Sequence, residues 1–367
     1  MSTHLDRCRI DKFLSPALLA LALLSWGAHG GARAEEYFDR YGLSPDSPAL
    51  DLGVQPLGIP SGLISSVMGR DRILKRALEA ANLPLKPHPF LRGADMVALL
   101  ADRRLEAGLL GDMPTILTAS TGNVWVVGLV KQTSTAIVAK GDLQVGGLAG
   151  KRIAYVASSS AHHTLLQGLA SAGLSEAQVK LVGLRVDEMP AALERGEIDA
   201  FAAWEPAPSI ALAASAKNRI VFRGRSSDYF VIERTFERRQ PEAARELTAS
   251  FYRSLEWMRR SQSHLDRAAG WVMADAQALS GKPMALSVAQ IGAIAKREIL
   301  GIPSAPAIPE SPGTPTLAGE FQFLAKLQKL PAGASLENVG GALRYDGLAK
   351  VLAEPKKYQL RVFDYAD

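Results

Sequence analysis

The stretch LAGKRIAYVASSSAHHTLL, Leu148 to Leu166, passes from an apolar strand through a run of small residues directly into a helix. Ile153 to Val156 suits an interior strand of a covered sheet, where β-branched and aromatic side chains pack well on a pleated surface. Ser158, Ser159 and Ser160 supply an N-cap for a helix over Ala161 to Ala172. A helix start fed by small residues leaves several backbone N–H groups unpaired at the positive end of the helix dipole, which suits an anion. An ordinary capped strand-to-helix turn has the same features.

The pattern repeats on both sides of this stretch. Leu50 to Val54 reads as a strand leading through Gln55, Pro56, Gly58, Pro60 and Gly62 into one helix over Leu63 to Ala81. Leu85 to Phe90 is a second strand, followed by a helix over Ala94 to Arg104. A third strand, Ala107 to Leu110, ends in Gly111, Asp112, Met113 and Pro114. Pro114 fits the first turn of the next helix, so here too a strand delivers a helix N-terminus. Val124 to Val130 and Ala136 to Ala139 read as two strands joined by a crossover at 131–135, with a return crossover at 226–232. Strands at Val179 to Leu184, Ile198 to Ala203, Arg219 to Phe222 and Tyr229 to Ile232 continue the alternation. This is an α/β pattern of mainly parallel sheet covered by helices. From Pro241 onward helices dominate, over Pro241 to Arg260, Ser263 to Leu279, Leu286 to Glu298 and Leu317 to Leu330. Five prolines make Ile302 to Pro315 a surface segment.

Arg7, Arg9 and Lys12 precede the apolar run Phe13 to Trp26, and Ala32, Arg33 and Ala34 form an A-x-A site. These are the parts of a secretory signal peptide cleaved near Ala34. The apolar run is shorter than the roughly 20 residues that a resident spanning helix needs. Residues 1–34 hold four Lys/Arg and two Asp/Glu, so the formal charge falls from +5 to +3 on cleavage. That mild value argues against a nucleic-acid partner, which calls for a concentrated basic face. The single cysteine, Cys8, precedes the apolar run, which leaves the mature chain without a disulfide, a thiolate nucleophile or a lipid-anchored cysteine. Adjacent helical residues point about 100° apart, so His162 and His163 do not share a metal, and no metal or cofactor is expected. Ser160 stands two residues from His162 without a G-x-S-x-G elbow, which weighs against a Ser/His hydrolase. Seven arginines between 219 and 245 alternate with acidic residues and read as a solvated face, from which one Arg has the reach to approach a cleft.

Residues 146–206 hold several pieces in order: L-x-G-K before a strand, the Ser-rich turn with Ala-His at the helix start, A-G-L, A-A-L-x-x-G-x-I-D-A, and W-E-P. This run resembles the periplasmic substrate-binding proteins of ABC importers in the nitrate, sulfonate and taurine group, as does GLLGDMP at 108–114. The resemblance covers about residues 50–330. It implies a two-lobed periplasmic-binding-protein fold (type II), each lobe a mainly parallel sheet covered by helices, with the ligand cleft between lobes. Lobe I would comprise 35–133 and 231–344, lobe II 134–230, and 345–367 a C-terminal extension. The resemblance places Gln55, the turn Gly111, Asp112, Met113 and Pro114, the helix start Ser158, Ser159, Ser160 and His162, and Trp204 around one cleft. Glu205 adjoins them, its carboxylate favouring the helix start after Pro206. His163 is expected to point elsewhere. The implied task is periplasmic capture, by a monomer, of a small anionic or zwitterionic ligand such as a sulfonate, nitrate or taurine. Delivery would be to an ABC permease in the inner membrane. Enzymes on this scaffold, a sulfinate-cleaving one and a thiamin-pyrimidine synthase, depend on cysteines absent from the mature chain; a ligand sensor for a membrane receptor is the remaining alternative.

Overall fold

A computed structural model of the chain describes residues 36–303, 306 and 317–366. The expected signal peptide, 1–34, and most of the proline-rich segment lie outside the described residues. The chain divides at Arg40/Tyr41, and the unit from Tyr41 onward carries the sheet.

The first part of that unit runs β1 (Leu50–Val54), α1 (Ser61–Met68), α2 (Arg72–Ala80), β2 (Leu85–Pro89), α3 (Ala94–Ala101), β3 (Ala107–Gly111), α4 (Asp112–Ala119) and β4 (Val124–Lys140). Then come β5 (Arg152–Tyr155), α5 (Ser160–Ser171), β6 (Lys180–Gly183), α6 (Met189–Glu194), β7 (Ala200–Ala203), α7 (Ala207–Ala214) and β8 (Asn218–Glu233). The helical remainder is α8 (Arg234–Arg239), α9 (Pro241–Arg259), α10 (Gln262–Ser280), α11 (Val288–Leu300), α12 (Leu317–Lys326), α13 (Leu336–Ala342) and α14 (Gly347–Ala353).

The strands order as β2-β1-β3-β8-β4-β7-β5-β6. The outer trios β2-β1-β3 and β7-β5-β6 are parallel, and the central pair β8-β4 runs antiparallel to its neighbours and to itself. Each trio has its own buried cluster. Leu52, Ile64, Leu109, Phe230 and Phe251 belong to one, and Ile137, Ile153, Leu165 and Phe201 to the other. In an open parallel sheet, ligand-facing turns lie beyond the C-terminal strand ends, and here both trios turn into helices at those ends.

Three sequence expectations change. The helix expected over 63–81 is two helices, because Asp71 starts a new one by accepting hydrogen bonds from the N–H groups of Ile73 (2.9 Å) and Leu74 (3.2 Å). The two strands expected at 124–130 and 136–139 are one, as are those at 219–222 and 229–232. Their polar middles break the apolar pattern and so read as loops, yet they pair with each other as Lys131↔Asp228, Gln132↔Ser227 and Thr133↔Ser226. The central pair thereby joins the two expected sheets into one mixed sheet. The C-terminal extension beyond 344 packs on the body of the chain, with Tyr358, Leu360 and Tyr365 buried. Arg253, fully buried, donates to Asp71 Oδ2 (2.7 and 3.0 Å) and to the Tyr358 carbonyl (2.6 Å), tying this tail to α2 and α9.

Candidate ligand-binding site

Four helix starts border one small polar cavity. Ser61 opens α1, Gly93 and Gly111 are the residues before α3 and α4, and Ser159 with Ser160 begins α5. Pro114, Gln55, Gly58, the Trp204 ring and Asp228 complete the lining. A helix start carries partial positive charge in its first turn, and of the N–H groups there those of Gly62, Asp95, Met96, Met113 and His162 already donate to the Gly58, Arg92 and Gly93 carbonyls, Asp112 Oδ1 and Ser159 Oγ. The turns before α4 and α5 touch across the cavity: a Cβ added to Gly111 would lie 3.1 Å from Ser160 Cβ and Oγ. The absence of a side chain at Gly111 is what permits this approach.

Several of the lining polar groups are already engaged. Ser159 Oγ donates to the Val156 carbonyl (2.6 Å) and accepts from the His162 N–H (3.3 Å), so it holds the helix start in shape rather than offering its proton to a ligand. Gln55 Nε2 donates to the Leu109 carbonyl (2.7 Å), leaving its oxygen. The Trp204 indole N–H donates to the Leu57 carbonyl (3.2 Å), so only its ring face serves the cavity. Ser61 Oγ donates to Asp228 Oδ2 (2.7 Å). Burial raises the Asp228 pKa above its ordinary value; Lys131 and the Ser61 hydrogen bond oppose this, and Asp112 adds to it. Lys131, on the paired strand, is itself buried with its Nζ unpartnered among the described residues.

Gln55, Gly111, Pro114, Ser159, Ser160 and Trp204 are therefore brought together, and five of the sequence candidates are not among the lining residues. Ser158 takes a left-handed backbone (φ +55°) and donates its N–H to His162 Nδ1 (3.1 Å). His162 Nε2 pairs with Glu176 (2.7 Å), and its ring packs on Tyr155. Burial lowers the His162 pKa against the pull of Glu176. Met113 is buried in the core. Glu205 accepts from the Ser209 N–H (3.3 Å), in keeping with a role at the start of α7. Asp112 Oδ1 accepts from the Met113 N–H (2.6 Å), and its Oδ2 lies 3.3 Å from His163 Nδ1.

Sequence reasoning missed Gly58, Ser61, Gly93 and Asp228. The first three sit in Gly/Pro/Ser turns that precede helices, a signal available in the sequence. Asp228 sits in an Arg-rich run that instead suggested a cleft arginine, and no arginine is among the described residues that line the cavity. Arg219 pairs with Asp142, Arg223 donates to Ser134, and Arg234 lies over the Trp125 ring.

Comparison with known proteins gives consistent neighbours. The NMT1-like family model matches residues 68–273, more than half of the chain. A taurine-binding periplasmic protein of Escherichia coli (strain K12) is 34% identical over 122 residues, 32% of this chain and 38% of that protein. The chain thus matches well under half the length of that relative. Among solved structures, the alkanesulfonate-binding protein SsuA from Xanthomonas axonopodis pv. citri, bound to MOPS, superposes with a TM-score of 0.60 at 22% identity, covering 81% of this chain and 98% of that one. The desulfurization enzyme DSZB shares the fold at a TM-score of 0.56 and 15% identity, over 83% and 99%. The α/β architecture is that of the SsuA-type periplasmic binding proteins, and the chain belongs to the NMT1-like family.

Proposed function

We propose that the chain is an exported solute-binding protein that captures a small sulfonate-class oxyanion and, as a monomer, delivers it to an ABC permease. The observation that carries this reading is the convergence of four helix N-termini on one cavity. Together they supply N–H donors and positive partial charge that no single turn provides, and they do so without bringing a full cation into the cavity. The relatives support it: one is named a taurine-binding periplasmic protein and the other an alkanesulfonate-binding protein. The signal-like segment 1–34 and the periplasmic relative support an exported, periplasmic location.

In this reading lobe I (35–133 and 231–344) contributes Gln55, Ser61, Gly93 and Gly111, and lobe II (134–230) contributes Ser159, Ser160 and Trp204. Asp228, at the crossover, faces the same space. The long strands β4 and β8 act as the hinge, and closure brings Ser160 against Gly111. A carboxyl group beside an anion site selects for a ligand that also carries a donor or a cation, so a taurine-like zwitterion satisfies both ends of the cavity.

Binding fits the lining better than catalysis does. The nucleophile candidates there are serines with no histidine among the lining residues to act as their base, and the only cysteine is Cys8. Isothermal titration of the mature protein with taurine, ethanesulfonate, nitrate and sulfate tests the reading. It predicts one organosulfonate bound per chain, and absence of binding across the panel would overturn it.

A further inference from the structure

Behind the cavity, Asp112 at the start of α4, His163 in α5 and Glu320 in α12 meet in the protein interior. Their candidate ligand atoms all lie within 4.8 Å of one another, and His163 Nδ1 is 3.3 Å from Asp112 Oδ2. All three residues are buried, at 0%, 0% and 3% exposure. Asp112 Oδ2, His163 Nδ1 and both Glu320 carboxyl oxygens are buried without a hydrogen-bond partner. Four orphaned polar atoms facing one another are costly in a protein interior, since each forgoes water without a replacement.

We propose that these three residues form a divalent transition-metal site, suited to zinc, that fastens α4, α5 and α12 together. The donor set of one imidazole and two carboxylates is of the kind zinc accepts. Ligands about 2 Å from a tetrahedral zinc ion stand about 3.3 Å apart, the separation the His163–Asp112 pair already shows, and the Glu320 carboxylate lies within 4.8 Å of both. A carboxylate bound through both oxygens fills the fourth position. Charge also closes, because a dication with two carboxylates and a neutral imidazole sums to zero in a site that water does not reach.

The surroundings fit a ligating histidine. His163 Nε2 lies 3.2 Å from the Gln167 side-chain amide. With the amide turned so that its oxygen faces the ring, Nε2–H donates to it and leaves Nδ1 free for the metal. Asp112 is fixed by the Met113 N–H on its other oxygen, and Phe323 packs on the His163 ring at 5.5 Å between centroids. Spacing along the chain hides the site, since its members are scattered over more than 200 residues.

The test uses untagged mature protein, stripped with EDTA, dialysed and titrated with zinc chloride without any organic ligand, so its outcome is independent of the anion-binding reading. We expect one zinc per chain by plasma mass spectrometry after gel filtration, a raised Tm with zinc, and no response to magnesium. Glu320→Gln and Asp112→Asn, both close in shape to the originals, should each weaken zinc binding by about a hundredfold or more. Wild-type protein that retains no zinc overturns the proposal, whether or not the variants fold. Equal zinc retention by a folded Glu320→Gln variant overturns it as well, because the ion is then held elsewhere.

Discussion

Asp228→Asn is the substitution that most sharply separates the forces acting in the cavity. It keeps the shape of the side chain and an acceptor for the Ser61 hydroxyl, while removing the ability to ionise. Two unit charges roughly 5 Å apart at an effective dielectric of about 20 interact by about 3 kcal/mol. An ionised Asp228 therefore weakens a simple sulfonate by about a hundredfold in Kd. Burial raises the Asp228 pKa, opposed by Lys131 and Ser61 and reinforced by Asp112. Below that pKa the group is neutral and the penalty is absent; as pH rises through it, the carboxylate forms and affinity for the anion falls. Ethanesulfonate titrated calorimetrically at rising pH, starting above the ordinary carboxylate range, should thus bind the wild type more weakly once Asp228 ionises, while Asp228→Asn shows no such fall and becomes the tighter binder at high pH. Taurine should show the opposite sign, since its ammonium group gains from the carboxylate and loses it in the variant. If the substitution weakened both ligands alike at every pH, Asp228 would not face the ligand's charge and the electrostatic reasoning would fail.

Other consequences are equally direct. Gly111→Ala should weaken ligand binding by about tenfold or more, the scale of a modest overpacking cost, with little change in Tm, because its Cβ would press on Ser160 across the cavity; unchanged affinity would mean that the two turns do not close on the ligand. Glu106 is buried beside Asp51, and burial, partly offset by the Asp51 N–H, raises its pKa to about 7 from an ordinary value of 4.5. The folded state then holds a proton that the unfolded chain releases, so stability should fall as pH rises from 4.5 to 7 and level off above. Glu106→Gln should remove that slope, worth about 3 kcal/mol at most, in urea melts across this range; an unaltered slope would assign it to another group. Arg253→Ala strands Asp71 in the core and should cost about 3 kcal/mol in chemical denaturation, whereas a cost below about 1 kcal/mol would show that the C-terminal tail does not depend on this ion pair.

Local chemistry made the strand-to-helix turns legible. Ser159 and Ser160 at the start of α5, and Gly111 with Pro114 around the start of α4, announce helix N-termini by residue type, as does Trp204-Glu205-Pro206 before α7. The same locality explains what stayed hidden. The middles of β4 and β8 look like loops because Lys131 to Thr135 and Ser226 to Asp228 are polar, and only their mutual pairing makes them strand. Asp228 reaches the cavity through that pairing, opposite Gly111 in the β3–β8 register, which no neighbour in sequence reveals. Helical spacing separates His162 and His163 by about 100° but names neither partner, and His162, expected at the cleft, pairs with Glu176 instead. The partners Glu176 for one, and Asp112 with Glu320 for the other, are set by packing between elements. Asp112 accepts the Met113 N–H, as a short carboxylate at a helix start commonly does, but its meeting with α12 is set by packing.

Anomalous diffraction from crystals grown with 2-bromoethanesulfonate tests the central claim most directly, because bromine marks the ligand independently of any assumption about the site. The account predicts a single strong bromine peak per chain near the Trp204 ring, with the sulfonate oxygens among the N–H groups that begin α1, α3, α4 and α5. A peak elsewhere on the molecule, or none at a saturating ligand concentration, would contradict it.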